Sequence, residues 1–385
     1  MRPSFIKTPN PKATKQLSSC FAMIILDGSL GGIMETIQRL AIFTLAIGLL
    51  GAMAVPARAA AAPNFSIQEL GTANVTFAQA FGINNKGDIA GLSDDATGGN
   101  FGAALWLHPG QTTFIDPDTG PRPSAANDIN KQGVAVGYKY GEITGLHAYV
   151  WHDGLATHLP SLSSSLSTSN DYADEINDSG QIVGYSVDDG GVTHAVTWVN
   201  STAITDLAPG PETETAGAFG INNQGVVTGS WNGQAVTWEN GVMTILPIPR
   251  PVDIPADATV FSDGRSINDN GDVAGYIAWT SESAGVGGYR AFLWSDGVAT
   301  ILQPLDNDHV ECIAYGINDR KEIVGHCGNG QTGETRAFYW KNGIMHDPGI
   351  LPGYVSSSAQ SINTKGEFVG FVTDEAGLGR AVRWR

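Results

Sequence analysis

The sequence predicts an all-β fold: a seven-bladed β-propeller of four-stranded antiparallel blades, its ring closed by an N-terminal strand that completes the last blade. Three observations predict it. One unit, clearest at residues 173–185 (ADEINDSGQIVGY), occurs seven times. Its Ile-Asn pairs end at Asn84, Asn130, Asn177, Asn222, Asn268, Asn318 and Asn363, in steps of 46, 47, 45, 46, 50 and 45 residues. A fixed period in the forties marks a repeat architecture. The 385 residues include 49 Gly and only 15 % charged residues, a composition suited to short strands and tight turns. Lastly, the repeats are out of phase with the chain: residues 64–70 read as a fourth strand and residues 380–384 as a third. Joining them closes the ring and removes both open sheet edges, whereas an open solenoid needs polar capping repeats.

Each repeat reads as four strands, A to D. Strand A ends in A-x-x-I-N, with Ala80, Ala126, Ala173, Ala218, Gly264, Ala314 or Ala359 four residues before the Asn. A small residue there permits close sheet approach. The Asn opens a turn closed three residues later by Gly, except in the sixth copy, where Lys321 stands. Asn first and Gly fourth suit a type I turn followed by a left-handed residue. Strand B is a β-branched run ending in Gly, as in Ile182-Val183-Gly184. Strand C ends in Trp106, Trp151, Trp198, Trp238, Trp294, Trp340 or Trp384, each with Ala three residues earlier. A Trp ladder reads either as a sugar-stacking platform or as inter-blade packing; recurrence in every copy favours packing. The dipeptides Asp153-Gly154, Asn240-Gly241, Asp296-Gly297 and Asn342-Gly343 are hairpin signals leading into strand D.

The expected domain organisation is an upstream extension (1–33), a signal peptide (34–59) and the propeller (60–385). Met34, Arg39, an apolar run over residues 40–55 and Pro56-Ala57-Arg58-Ala59 form an export signal with cleavage after Ala59. The run is short for a membrane span. Met34 then reads as the true start, and Cys20 is irrelevant. The expected location is secreted or periplasmic, with no membrane span after cleavage and a monomeric protein. The formal net charge of −17 becomes more negative without residues 1–59, which argues against nucleic acid as a partner.

Strand C of the second and third copies reads Leu146-His147-Ala148-Tyr149-Val150-Trp151 and Thr193-His194-Ala195-Val196-Thr197-Trp198. With the Gly-Ile-Asn-x-x-Gly-x-Val-x-Gly run from Gly220 to Gly229, the chain resembles the HAF family of bacterial extracellular repeats. The resemblance implies export and no particular reaction. The chain departs from the pattern at the His, with Gly102, Gln234, Arg290, Arg336 and Arg380 elsewhere.

Short A–B and C–D turns lie at one end of each blade, and variable B–C and D–A connections at the other, where binding usually resides. The variable connections carry Asp94-Asp95, Asp188-Asp189, Glu212, Glu214, Asp306, Asp308 and Asp374-Glu375. They read as a face for cations or cationic partners, or as a solvated rim. No cofactor is expected, although calcium is possible. Strand A lines the channel. Asn127, Asp174, Tyr315 and Gln360 are the expected ligand-binding residues at its mouth. Asp128, Glu175 and Arg265 are the candidates should the site be catalytic. Asp174 and Glu175 are neighbours on a strand and so are expected on opposite faces, while Asp128 and Glu175, at equivalent positions of adjacent blades, can face each other. His309, Cys312, His326 and Cys327 match no standard zinc spacing, so no metal site is assigned and both histidines read as surface residues. Cys312 and Cys327 flank the sixth A–B turn. A two-residue hairpin sets them opposite, within disulfide range, and Lys321 in place of Gly argues against a bulge that would shift them. The expectation is a cross-strand disulfide in an oxidising compartment.

The leading functional reading is a non-catalytic recognition module for an extracellular or cell-envelope glycan or protein. The alternative is a secreted polysaccharide hydrolase or lyase acting at the channel mouth. A structural matrix protein is the third.

Overall fold

The computed structural model describes residues 63–71, 75–94, 101–108, 111–115, 123–140, 145–165, 169–199, 201–208, 210 and 214–385. The extension, the signal segment, Cys20, Asp95 and Glu212 lie outside them. The described residues form seven four-stranded antiparallel sheets and contain no helix. Blade 3 shows the plan: A Asp171–Ile176, B Ile182–Val187, C Thr193–Val199 and D Ala203–Asp206. The other A strands are Ala78–Ile83, Ser124–Ile129, Ala216–Ile221, Thr259–Ile267, Glu311–Ile317 and Ser356–Ile362.

The seventh blade takes its outer strand, Ile67–Glu69, from the other end of the propeller. That strand pairs with Gly379–Trp384 in the register Ile67↔Trp384, and Ser66 and Arg385 exchange backbone hydrogen bonds. The repeated tryptophans serve packing. Each of seven hydrophobic clusters holds one strand-C Trp, set against the neighbouring blade's Ala and aliphatic residues. Trp198, Trp238 and Trp384 are fully buried. Burying one such ring contributes about 4–6 kcal/mol before ordering costs, so packing accounts for the ladder.

The repeated Asn does more than open a turn. In blade 4, Asn222 Oδ1 accepts the backbone N–H groups of Gln224 and Val226 at 3.1 and 2.9 Å. Its Nδ2 donates to the carbonyl of Asn268, the equivalent residue of the next blade, at 3.1 Å. The same donation runs 84→130→177→222→268→318→363→84, at 2.9–3.2 Å. Seven buried side chains thus hydrogen-bond into a closed ring around the channel, at its A–B turn end.

Strand A carries one bulge in every blade. The ladder slips by one residue between Ala173 and Glu175, and identically at Ala80/Gly82, Ala126/Asp128, Ala218/Gly220, Gly264/Ser266, Ala314/Gly316 and Ala359/Ser361. The bulge drives the backbone toward strand B. A Cβ at Gly184 would fall inside the carbonyl oxygen of Tyr172, and the equivalent Gly of every other blade faces the same clash. These glycines therefore sit within strand B, which runs on past them, rather than at its end.

Cys312 and Cys327 are register partners and form a disulfide with Cα atoms 4.0 Å apart. The pairing arises differently from the simple hairpin expected. Lys321 adopts the left-handed conformation at φ 56° and its turn does slip by one residue, pairing Ile317 with Ile323. The bulge at Tyr315 slips the ladder back, and the two shifts cancel at the cysteines.

Candidate functional site

The bulges determine which side chains meet in the channel. The extra residue of each A strand is Phe81, Asn127, Asp174, Phe219, Arg265, Tyr315 or Gln360, and all seven are half-buried. They form one layer near the A–B turn end of strand A. A bulge also breaks the alternation of a strand. Asp174 and Glu175 are therefore not separated onto opposite faces as sequence adjacency implied. Glu175 feels the Asp174 charge, and both feel Arg265.

The carboxylates fall into two kinds. Asp128 and Glu175 clasp neighbouring blades. Asp128 Oδ2 accepts the Ile176 N–H at 3.1 Å, and Glu175 Oε2 accepts the Ile221 N–H at 2.8 Å. A Cβ at Gly82 would come within 2.6 Å of Asp128 Oδ1, so the adjacent blade makes room for this side chain. Burial raises the Asp128 pKa to about 6 against the opposing Ile176 hydrogen bond. Burial, then the Asp128 charge, pushes Glu175 well above the ordinary range. The Asp128 charge acts on Glu175, and each of the two commits an oxygen to the scaffold.

Asp174 is different. Its Oδ2 is buried without a hydrogen-bond partner. Burial raises its pKa to about 7, opposed only by the Arg265 charge. Arg265 lies with its guanidinium carbon 4.3 Å from the centre of the Phe219 ring. Burial opposes the Arg265 charge, yet Tyr276, Asp174, Asp263 and Tyr315 together hold its pKa above normal. Asp263 itself accepts the Tyr276 hydroxyl at 2.5 Å. Asp174 and Arg265 stand on blades 3 and 5 with blade 4 between them, and no ion pair joins them.

The remaining ring members are placed as follows. Asn127 Nδ2 donates to the Ala173 carbonyl at 2.7 Å. Gln360 Nε2 donates to Ser358 Oγ at 2.7 Å, which also contacts His326 Nδ1 at 2.9 Å. The Tyr315 ring lies 5.4 Å from the His326 ring, and burial lifts its hydroxyl pKa to about 12. His326 is not a surface residue: burial lowers its pKa to about 4. His309 is also largely covered, with Nδ1 against Asp306 at 3.0 Å.

The acidic loops mostly serve their own backbones. Asp188 Oδ1 accepts from Gly190 and Val192. Asp306 accepts from Asp308 and His309, and Asp374 from Ala376 and Leu378. Asp94 is buried against the Thr76 N–H. Among the described residues no three His, Cys, Asp or Glu are grouped to hold a metal ion, and no helix is long and apolar enough to cross a membrane. The strand-C residue of the His-Ala pattern ties its blade to the linker entering the next one: His147 Nδ1 contacts Ser169 Oγ at 2.8 Å, and Arg380 donates to the Thr76 carbonyl at 2.6 Å.

Residues 66–195 match the model of a family described as a protein of unknown function (DUF3466). No curated protein matches the chain. Among solved structures, a puromycin-hydrolyzing peptidase of Mycobacterium tuberculosis is similar at a TM-score of 0.51 and 13 % identity, over 80 % of this chain and 50 % of that one. The chain thus spans half the length of that peptidase, and at this identity the likeness concerns the fold alone. The BP39L lectin of Burkholderia pseudomallei matches at a TM-score of 0.39 and 12 % identity, over 84 % and 96 % of the two chains. Aleuria aurantia lectin matches at 0.33 and 10 %, over 75 % and 100 %.

Proposed function

We propose that this chain is an exported propeller of the HAF-repeat kind, residues 60–385 following a cleaved signal, and that it acts as a non-catalytic recognition module. Its ligand is an extracellular or cell-envelope glycan or protein, bound at the channel layer of the bulge residues. One observation carries the reading: Asp174 and Arg265 bring charged groups without a direct partner to one layer of the channel, while Asp128 and Glu175 are engaged in holding blades together. Folding a chain leaves such groups unsatisfied only at a cost, and a bound ligand offsets it. The disulfide suits an oxidising compartment.

The test is a thermal-shift screen of the full chain against envelope glycan fragments and peptides, with calcium or with a chelator, repeated on Arg265→Gln. A shift lost in the variant supports the channel site. Hits that ignore Arg265→Gln and Asp174→Asn refute it. The raised pKa values of the adjacent Asp128–Glu175 pair favour a second reading, acid–base hydrolysis. In that case Glu175→Gln abolishes turnover of a polysaccharide while preserving its binding; absence of turnover in the unmodified chain removes this alternative.

A further inference from the structure

The bulge layer is divided by charge. Its one carboxylate, Asp174, stands on blade 3, and the residues just after the bulge on blades 2 and 3 add Asp128 and Glu175. Arg265, on blade 5, is the layer's one cation. Its guanidinium is supported by the Phe219 ring at 4.3 Å and has no carboxylate in direct contact, since Asp263, the acid nearest in sequence, is engaged by Tyr276. Two blades away, Asp174 Oδ2 is buried with no partner. A folded protein that needed neither group for a ligand would satisfy both by letting them touch. Here blade 4, carrying Phe219, holds them apart.

We propose, resting on the recognition reading above, that the channel binds a zwitterion, a molecule carrying a carboxylate and an ammonium group on a short carbon skeleton, as a free amino acid or a short peptide does. The carboxylate pairs with Arg265, whose planar fork suits bidentate carboxylate recognition. The ammonium sits against the unpartnered Oδ2 of Asp174. Phe219, on the blade between Asp174 and Arg265, supplies an apolar face between the two poles. A ligand with only a carboxylate leaves the Asp174 oxygen bare. A ligand with only an ammonium leaves Arg265 unpaired and is repelled by it.

The experiment is isothermal titration of the full chain at neutral pH with four kinds of probe: L-amino acids, glycylglycine, glucuronate (a carboxylate without an ammonium) and putrescine (ammonium without a carboxylate). Amino acids or glycylglycine should bind at least about tenfold more tightly than either single-charge probe. Arg265→Gln and Asp174→Asn should each weaken that binding by about 10- to 100-fold, the worth of one charge-assisted hydrogen bond. The comparison among probes needs only the unmodified chain, so it stands even if a variant folds poorly. Glucuronate or putrescine binding as tightly as the zwitterions overturns the charge assignment. If that binding is still lost in the variants, the channel remains a recognition site. Binding of any probe that neither variant alters overturns the channel reading as well. Failure of all zwitterions to bind at millimolar concentration overturns the inference alone, because the glycan and peptide screen tests recognition independently.

Discussion

Two rings of side chains encircle the same channel only three residues apart, and they are opposites. The Asn ring uses one residue type seven times, each amide hydrogen-bonded to the next blade and to its own turn. The bulge ring uses six residue types at seven equivalent positions, and it includes a carboxylate oxygen without a hydrogen bond and an unpaired guanidinium. A buried polar group repeated by the fold must be satisfied in every copy, or its cost is multiplied by seven. Positions released from that constraint can diverge. The repeated residues therefore describe the scaffold, and the unlike ones are where the recognition site is proposed.

The largest expected effect is on the ring that is alike. Asn222→Ala strands two turn N–H groups and the Asn268 carbonyl, each worth about 1–3 kcal/mol when buried and unpaired. A loss of about 3–5 kcal/mol is expected in chemical denaturation, against less than about 1 kcal/mol for Gln360→Ala in the other ring. Equal losses would break the comparison. Next in size is the disulfide, which pins strands A and B of blade 6 above the bulge as Asn318 pins them below. Reduction should cost about 3 kcal/mol for a closed loop of this length. Hydrogen exchange should then rise around Tyr315 before it rises around Asn318; the reverse order would mean that the bulge is not the softer region.

The scaffold was legible in the sequence because its signals recur. Ala-x-x-Ile-Asn, the strand-C Trp and the hairpin dipeptides each appear at a fixed phase, and the ring closure follows from residues 64–70 and 380–384. What escaped was the bulge, and with it the side-chain directions at the site. Reading Asp174 and Glu175 as a plain strand placed them on opposite faces. A signal was present: Gly91, Gly137, Gly184, Gly229, Gly275, Gly325 and Gly370 recur within strand B, and a Gly inside a strand marks a bulge or a close backbone approach. They were read as strand ends because the apolar run stops there. The Asn ring was invisible for another reason. Six of its seven bonds join residues 45–50 positions apart and the seventh spans 279, and only the closed geometry shows that each turn faces the next.

The two kinds of acid should also carry opposite pH dependence. Glu322, at the sixth turn, is buried. Burial alone would raise its pKa, but hydrogen bonds from Arg320, Lys341, Asn318 and Tyr339 bring it down to about 2. Its stabilisation is present above pH 4.5 and is lost as pH falls through 2. Glu322→Gln should therefore cost about 2–3 kcal/mol at neutral pH and nothing near pH 2.

Asp174 runs the other way, and its effect is the smallest. Its folded pKa is about 7 against an ordinary 3.8, so the folded state binds the proton more tightly. Stability is then highest below pH 4, falls as pH rises toward 7, and is level beyond. Asp174→Asn removes that fall. The lost attraction to Arg265 returns part of the gain, leaving the variant about 1–2 kcal/mol more stable at pH 8 and equal to the parent near pH 3. Denaturation curves across this range settle the sign. A variant less stable at pH 8 would mean that Asp174 and Arg265 form an ion pair in solution, and that the channel is held together by the very groups assigned to its ligand.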